Sequence, residues 1–551
     1  MVPGAASRRT ILSLGALCLL GLFSTEITDT DFWWHLRAGQ YIVEQRALPA
    51  PDPFSYTTYL GEPAYPGEEK VRRFVLTHEW LAQSLWYGVW RAGGFAAVVL
   101  FKAALLAAFC GIAGILAARR SGDFFFGVAA AAAAASLARH FALDRPALVT
   151  FLLVAVFVWI LERGRPLWLL PALSVVWGNS HGGLFLGWVI LGAYTAADRR
   201  LWRVALVSFA ASGLNPNWFR IPEILLAYQK SDLVKTLIEW SRPYLWGPPY
   251  EFNVLLYGAG AALLLAWRRV ERRDWLLFAA FAAAALTAFR NIILIAFLGP
   301  VLIAAYLPWR PRWPKLAAPA LAFALAAALA AGTARGKFFQ LRAALWKFPS
   351  GAADFLLARG VREPMFNSYE SGGYLMWRLW PRQKVFIDGR ALNESVYQDY
   401  LRVMGSTGAS AEESRQARRQ VLARYGAGVI VTNSFEYTTG VIYPIVLGLA
   451  DPAETEWQLV HYDAQAAVFM RHPPPGVPAL DKAGVADQLE AECRLHVEND
   501  PVLPLCARTL GFLFLRAGDP VRARRSLGLY LANRRDADPE AQRAYQQLLP
   551  R

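Results

Sequence analysis

The feature that most constrains this chain is a series of apolar runs separated by Arg-rich breaks. The runs lie near 11–27, 94–118, 123–138, 147–161, 166–178, 183–197, 204–214, 253–267, 275–289, 292–307 and 316–334. A helix needs roughly 20 apolar residues to cross the hydrocarbon core of a bilayer. Beginning with Arg8 and Arg9, the basic breaks "ARRSGD", "LERGRP", "DRRLWR", "WRRVERRD" and "LPWRPRWPK" follow every second run. Cytoplasmic loops carry the excess of Lys and Arg. The pattern therefore predicts a mostly α chain. A polytopic membrane bundle of about eleven spans has its N-terminus in the cytoplasm, and the C-terminal third lies outside. Composition agrees, with 55% hydrophobic and 18% charged residues, against roughly 25% charged in soluble domains. The net charge of +15 belongs to these breaks, so it reads as topology and lipid contact and not as a nucleic-acid site. The start of the chain resembles a signal peptide but lacks a clear small-residue cleavage site, and it reads as an uncleaved first span.

The connections on the other side differ in kind. They contain "TDTDFWWH", "THEW", "RHFALDRP", "GNSHGG", "LNPNW", "IEWSRP" and "RN". Two runs, near 166–178 and 204–214, are too short to cross and end in "WGNSHGG" and "SGLNPNW". Irregular backbone at membrane depth is tolerated only where it lines protein or a water-filled cavity, so a polar cavity open to the outer face is predicted. Asp29 and Asp31 are the candidate catalytic carboxylates. One of them would act as general base on an acceptor hydroxyl, or the pair would hold a divalent ion such as Mg or Mn against a phosphate. The plain alternative is a cap for an amphipathic surface helix that follows, with Trp33 and Trp34 as interface anchors. His35, His78, Glu79, Asn179, His181, Asn215 and Glu239 are candidates for supporting acid–base or polar-lining roles. For Glu79 the alternative is a helix start. For His181 it is a buried, hydrogen-bonded turn residue. Arg145 and Arg290 suit a lipid phosphate, because guanidinium matches phosphate bidentately; an Asp144–Arg145 structural pair is the alternative for Arg145. Lys102, inside the second run, either snorkels or pairs.

Composition changes after about residue 336. Short strand patterns ("PMFNSYESGGYLMWRLW", "KVFIDGR", "GAGVIVTNSF", "EWQLVHYD", "AAVFMRH") alternate with helical ones such as "SAEESRQARRQVLARYG". The expected division is a membrane domain over 1–335 with a first outer loop at 28–93. An extracytoplasmic α/β domain over 336–473 and a Pro-rich linker with a tetratricopeptide-like helical tail over 474–551 follow. Cys18 and Cys110 read as inert thiols in apolar spans. Cys493 and Cys506 either pair, if the tail is outside, or stay free. The absence of phosphate-loop and dinucleotide spacing argues against a nucleotide-driven pump.

Taken together, these residues resemble the GT-C superfamily of membrane glycosyltransferases, in which an acidic first outer loop follows the first span and leads into a juxtamembrane helix. More closely, the chain resembles a group of bacterial polytopic membrane proteins of GT-C-like architecture. The matching stretches are "DTDFWWH", "DPFSYT", "HEWLAQ" and "GGYLMWRLWPRQKVFIDGR", and the resemblance covers about residues 11 to 473. It implies transfer of a hexosyl or pentosyl group from a polyprenyl-phosphate-linked donor to an acceptor on the outer face of the cytoplasmic (inner) membrane. Asp31 or Asp29 would be the base, and Arg145 and Arg290 would hold the lipid phosphate. The oligosaccharyltransferase signature "WWDYG" is missing, which argues against an Asn-linked role. Two other readings stand beside this one. The first is a non-enzymatic scaffold of an envelope-assembly or secretion system that binds a protein partner through its tail. The second is a lipid or solute transporter, which would show internal repeats that this sequence lacks.

Overall fold

The computed structural model describes residues 4–232, 238–309, 311–405 and 410–549. They divide into two compact units. The first comprises Met1–Ala50 and Tyr65–Ala343, and the second Pro51–Ala64 and Ala344–Arg551.

The first unit is helical: α1 (Ala5–Phe23), α2 (Phe32–Gln45), α3 (Glu68–Thr77), α4 (Trp80–Ser121), α5 (Phe124–Ala138), α6 (Ala147–Arg163), α7 (Leu169–Ser180), α8 (Phe185–Ala197), α9 (Trp202–Ser212), α10 (Ile221–Tyr228), α11 (Tyr250–Leu265), α12 (Arg272–Thr287), α13 (Ile293–Tyr306) and α14 (Ala317–Ala334). Among the described residues, five segments are long and apolar enough to cross a membrane: Ala5–Phe23, Glu68–Ser121, Phe124–Phe141, Phe289–Tyr306 and Ala317–Ala334. Helices α7 and α9, from the runs judged too short, have 12 and 11 residues. Helix α4 breaks where the sequence places Gly93-Gly94. Gly94 has φ 63° and ψ −155°, a conformation open essentially to glycine alone.

Helix α2 departs from the surface-helix expectation. Its first eight residues, Phe32 to Gly39, are all buried. Trp33 packs edge-on against Phe32 and Phe95, so it is core and not an interface anchor, and Trp34 is buried beside it. The helix lies against α4 so closely that a Cβ at Gly39 would overlap the Gln83 carbonyl.

Polar clusters occupy both ends of α4. At its C-terminal end, Arg120 bonds Asp274 at 2.9 and 3.0 Å and Glu162 at 2.6 Å, and Tyr194 donates to Glu162. This network ties α4, α6, α8 and α12 together through paired charges, as ions removed from water require. The other cluster, at the start of α4, gathers Glu79, His78, His35 of α2 and His181 just after α7.

The second unit has a four-stranded sheet in the order β1 (Met365–Asn367), β2 (Val429–Thr432), β6 (Ala467–Met470), β5 (Gln458–Tyr462). Only the β1–β2 pair is parallel. A hairpin of β3 (Phe435–Glu436) and β4 (Val441–Ile442) lies between β2 and β5 in the chain. Pro51–Ala64 belong to this unit and not with the rest of the 28–93 loop. The Tyr56 amide donates to the Val385 carbonyl, and the Val385 amide donates to the Phe54 carbonyl. Arg390 clamps Asp52 (3.0 and 3.3 Å) and Asp388 (both 2.7 Å). The "DPFSYT" and "FIDGR" stretches are thus two halves of one buried ion cluster. Residues 474–551 are not a separate body either. Val485, Leu489, Leu510, Leu527 and Ala544 share one apolar core with Phe366, Ile430 and Phe469. Cys493 and Cys506 form a disulfide within it.

Candidate functional site

Asp29 lies in the short segment between α1 and α2, and its carboxylate accepts the Asp31 amide at 3.1 Å. Neither carboxylate caps α2: Asp31 stands at the N-cap position without a side-chain bond to the backbone amides of the first turn. Both turn instead to Arg145, in the connection that opens α6. The guanidinium donates from Nε to Asp29 Oδ2 at 2.5 Å and from Nη2 to Asp29 Oδ1 at 2.9 Å. Its Nη1 donates to Glu239 at 2.9 Å and lies 3.3 Å from Asp31 Oδ2. Three carboxylates from two connections between helices therefore converge on one cation. The side chain of Asp29 is 2% exposed, those of Asp31 and Glu239 20% and 45%.

This arrangement separates the two aspartates electrically. Burial pushes the Asp29 carboxyl up, but the Arg145 charge and hydrogen bonds outweigh it, and the net shift is below the ordinary carboxylate range. Asp31 is pushed up to about 6, by burial first, with Asp29 and Glu239 adding to it and Arg145 opposing. A carboxylate near 6 is tuned for proton exchange around neutral pH.

Arg145 is seated from behind. Lys102, wholly buried in α4, reaches Asp144 at 3.1 Å and the Thr25 carbonyl at 2.9 Å. Asp144 thus pairs with Lys102 and Arg145 with Asp29, which replaces the expected Asp144–Arg145 pair and settles Lys102 as a paired ion.

A second cluster surrounds Glu79 at the start of α4. Its carboxylate lies 3.2 Å from His78 Nε2, 3.7 Å from His181 Nε2 and 3.6 Å from His35 Nδ1. His78 Nδ1 donates to the Phe74 carbonyl at 2.8 Å. Its Nε2 therefore meets Glu79 as a bond only if a proton sits between them. His181 Nδ1 accepts from the Gly183 amide at 3.0 Å, which leaves the His181 proton on Nε2, toward Glu79. His181 is thus both a hydrogen-bonded turn residue and a Glu79 neighbour. Burial lowers His35 to about 4, against the pull of Glu79 and Asp29, so it is a neutral imidazole between the two clusters.

The remaining candidates bond other partners, and of them Arg290 lies near enough to His181 for its charge to add to burial in lowering that imidazole. Asn179 accepts from Trp80 Nε1 at 2.7 Å and donates to the Val175 and Leu214 carbonyls. Asn215 holds its own turn through Ser212, Asn217 and Trp218. Both fasten backbone. Arg290 lies over the Trp240 ring at 4.9 Å. Gln83, 3.4 Å from His35, escaped the sequence reading, as did the partner of Lys102. A lone Lys in an apolar run was the available signal for the latter.

No group of three or more His, Cys, Asp or Glu among the described residues is arranged to hold a metal ion. Both Asp29 oxygens and one of Asp31 already face the guanidinium, so this donor set does not fit a divalent ion.

No family model matches the chain, and no curated protein does. Solved structures do. The oligosaccharyltransferase AglB from Archaeoglobus fulgidus, in complex with an inhibitory peptide and a dolichol-phosphate, superposes with a TM-score of 0.51 at 13% identity, over 86% of this chain and 75% of that one. The apo form of the Archaeoglobus fulgidus oligosaccharyltransferase gives 0.52 at 12% identity, over 95% and 86%. The chain shares the overall fold of these two oligosaccharyltransferase structures. At this identity the likeness shows the fold alone, and the chemistry has to be argued from the residues.

Proposed function

We propose that this chain is a membrane glycosyltransferase that moves a sugar from a polyprenyl-phosphate-linked donor to an acceptor outside the cytoplasm. The observation that carries the reading is the acidic pair held by Arg145 at one end of an α-helical bundle of GT-C fold. Asp31, half-buried and near 6, removes the proton from an acceptor hydroxyl. The hydroxyl oxygen forms a bond to the anomeric carbon as the bond from that carbon to the phosphate oxygen breaks. The polyprenyl phosphate leaves with the electron pair, and Arg290 and Arg145 face its charge. Asp29, ionised against Arg145, fixes the guanidinium and the loop. His35, Glu79, His78 and His181 supply the polar lining that carries the proton onward. The dolichol-phosphate of the AglB complex supports a lipid-linked donor. The Cys493–Cys506 disulfide supports an oxidising, extracytoplasmic location for the second unit, as do the basic breaks of a bundle of about eleven spans.

The test is Asp29→Asn and Asp31→Asn, made separately and checked for membrane insertion and melting temperature. Extracytoplasmic glycans and polyprenyl-linked sugars are then measured. A variant that folds normally, loses the glycan and accumulates donor supports the reading. If both variants keep wild-type glycans while the deletion does not, the reading fails and a scaffold role takes its place.

A further inference from the structure

We infer that the Arg145 guanidinium is the resident cation of the acidic site and fills the place among Asp29, Asp31 and Glu239 that a divalent ion would take. Three observations carry this. Each guanidinium nitrogen already has a carboxylate partner: Nε and Nη2 on Asp29, Nη1 on Glu239 and Asp31. A second cation inserted there would have to displace these bonds and stand against the Arg145 charge. The Asp29 carboxylate is almost wholly buried, and a buried anion keeps its counter-charge permanently or loses its ionisation. Finally, Arg145 is a fixture and not a swinging arm. Asp144 before it is locked to Lys102 and through it to Thr25, and Pro146 after it opens α6 with its ring-restricted φ.

The cation is thus built into the chain, at the same loop that brings the carboxylates together. The consequence for sugar transfer rests on the function proposed above: Arg145 is the counter-charge of the acidic pair, and transfer needs no divalent ion at these carboxylates. The binding claim itself stands on geometry alone.

The experiment is a Mn2+ titration of the purified, metal-stripped full chain in detergent, followed by electron paramagnetic resonance of free Mn2+. Wild type, Asp31→Asn and Arg145→Ala are compared. The expected result is that wild type and Asp31→Asn give superimposable curves, and that Arg145→Ala gains a site at least tenfold tighter than any in wild type. That site is lost again in Arg145→Ala/Asp29→Asn. A stoichiometric Mn2+ in wild type that Asp31→Asn weakens tenfold or more overturns the inference. So does a folded Arg145→Ala that gains no Mn2+. The wild-type and Asp31→Asn comparison decides even if Arg145→Ala does not fold. Because no sugar transfer is measured, a negative result here is separable from a failure of the proposed activity.

Discussion

Replacing Arg390 by Met tests the clamp that binds residues 51–64 into the second unit. Met roughly preserves the aliphatic stem and removes the charge. Arg390, Asp52 and Asp388 have side chains 2%, 0% and 3% exposed, with four guanidinium–carboxylate bonds of 2.7 to 3.3 Å among them. The substitution leaves two buried carboxylates without this counter-ion. Breaking a buried ion pair by removing one partner costs about 3–5 kcal/mol. The clamp is the charged tie beside the Ser55, Thr57 and Asn393 hydrogen bonds that also hold the segment, and losing it lowers the cost of opening the segment locally. Amide exchange through such an opening speeds up by one power of ten for each ~1.4 kcal/mol. Hydrogen exchange of the full chain should therefore accelerate by about a hundredfold or more at the Tyr56 and Val385 amides, which bond across the segment. Adding Asp52→Asn to Arg390→Met should recover part of the protection, since one orphaned charge is then gone. Exchange within threefold of wild type, or a double variant no better than the single one, would refute the reasoning.

Three further outcomes are expected. If Asp31 near 6 is the base, transfer falls about tenfold between pH 7 and pH 5, whereas an ordinary carboxylate would leave the rate nearly flat over that range; a pH–rate profile separates the two. Burial pushes Glu492 up to about 7 despite bonds from Tyr437, Ser434 and Gln488. The folded state therefore holds a proton that the unfolded state releases near 4.5, and stability is lost as pH rises through about 7, by roughly 3 kcal/mol in all. Glu492→Gln should flatten that slope in melting curves at pH 5 and pH 8. Lys102→Met strands the buried Asp144 and should cost about 3–5 kcal/mol, seen as a lower melting temperature in detergent, with Lys102→Met/Asp144→Asn recovering much of it.

Much of the helical framework was legible because it depends on local chemistry. An apolar run must hydrogen-bond its own backbone in lipid; the runs near 123–138 and 316–334 coincide with α5 and α14, and the run near 11–27 overlaps α1, which begins and ends earlier. The Gly93-Gly94 pair ended one helix and began the next, which the run starting near 94 anticipated. Asp29, Asp31, Arg145 and Glu239 were each singled out as polar groups at helix ends, but their grouping was not legible. Asp29 and Arg145 are 116 positions apart, and nothing in either loop names its partner. Helix α2 misled because its amphipathic spacing is the same whether its apolar face meets lipid or α4. For the tail, helical-repeat spacing does not say whether the apolar face stays open or joins a neighbouring core, and here it joins one.

The sequence alone determines where this chain can cross a membrane and which end of each crossing is polar, because backbone satisfaction and charge placement are set residue by residue. Only the tertiary structure decides which charges meet. It sends Arg145 to the two aspartates and Glu239, Lys102 to Asp144, and Arg390 to Asp52. A buried ion takes whichever opposite charge the packing brings within reach, and that depends on the whole fold.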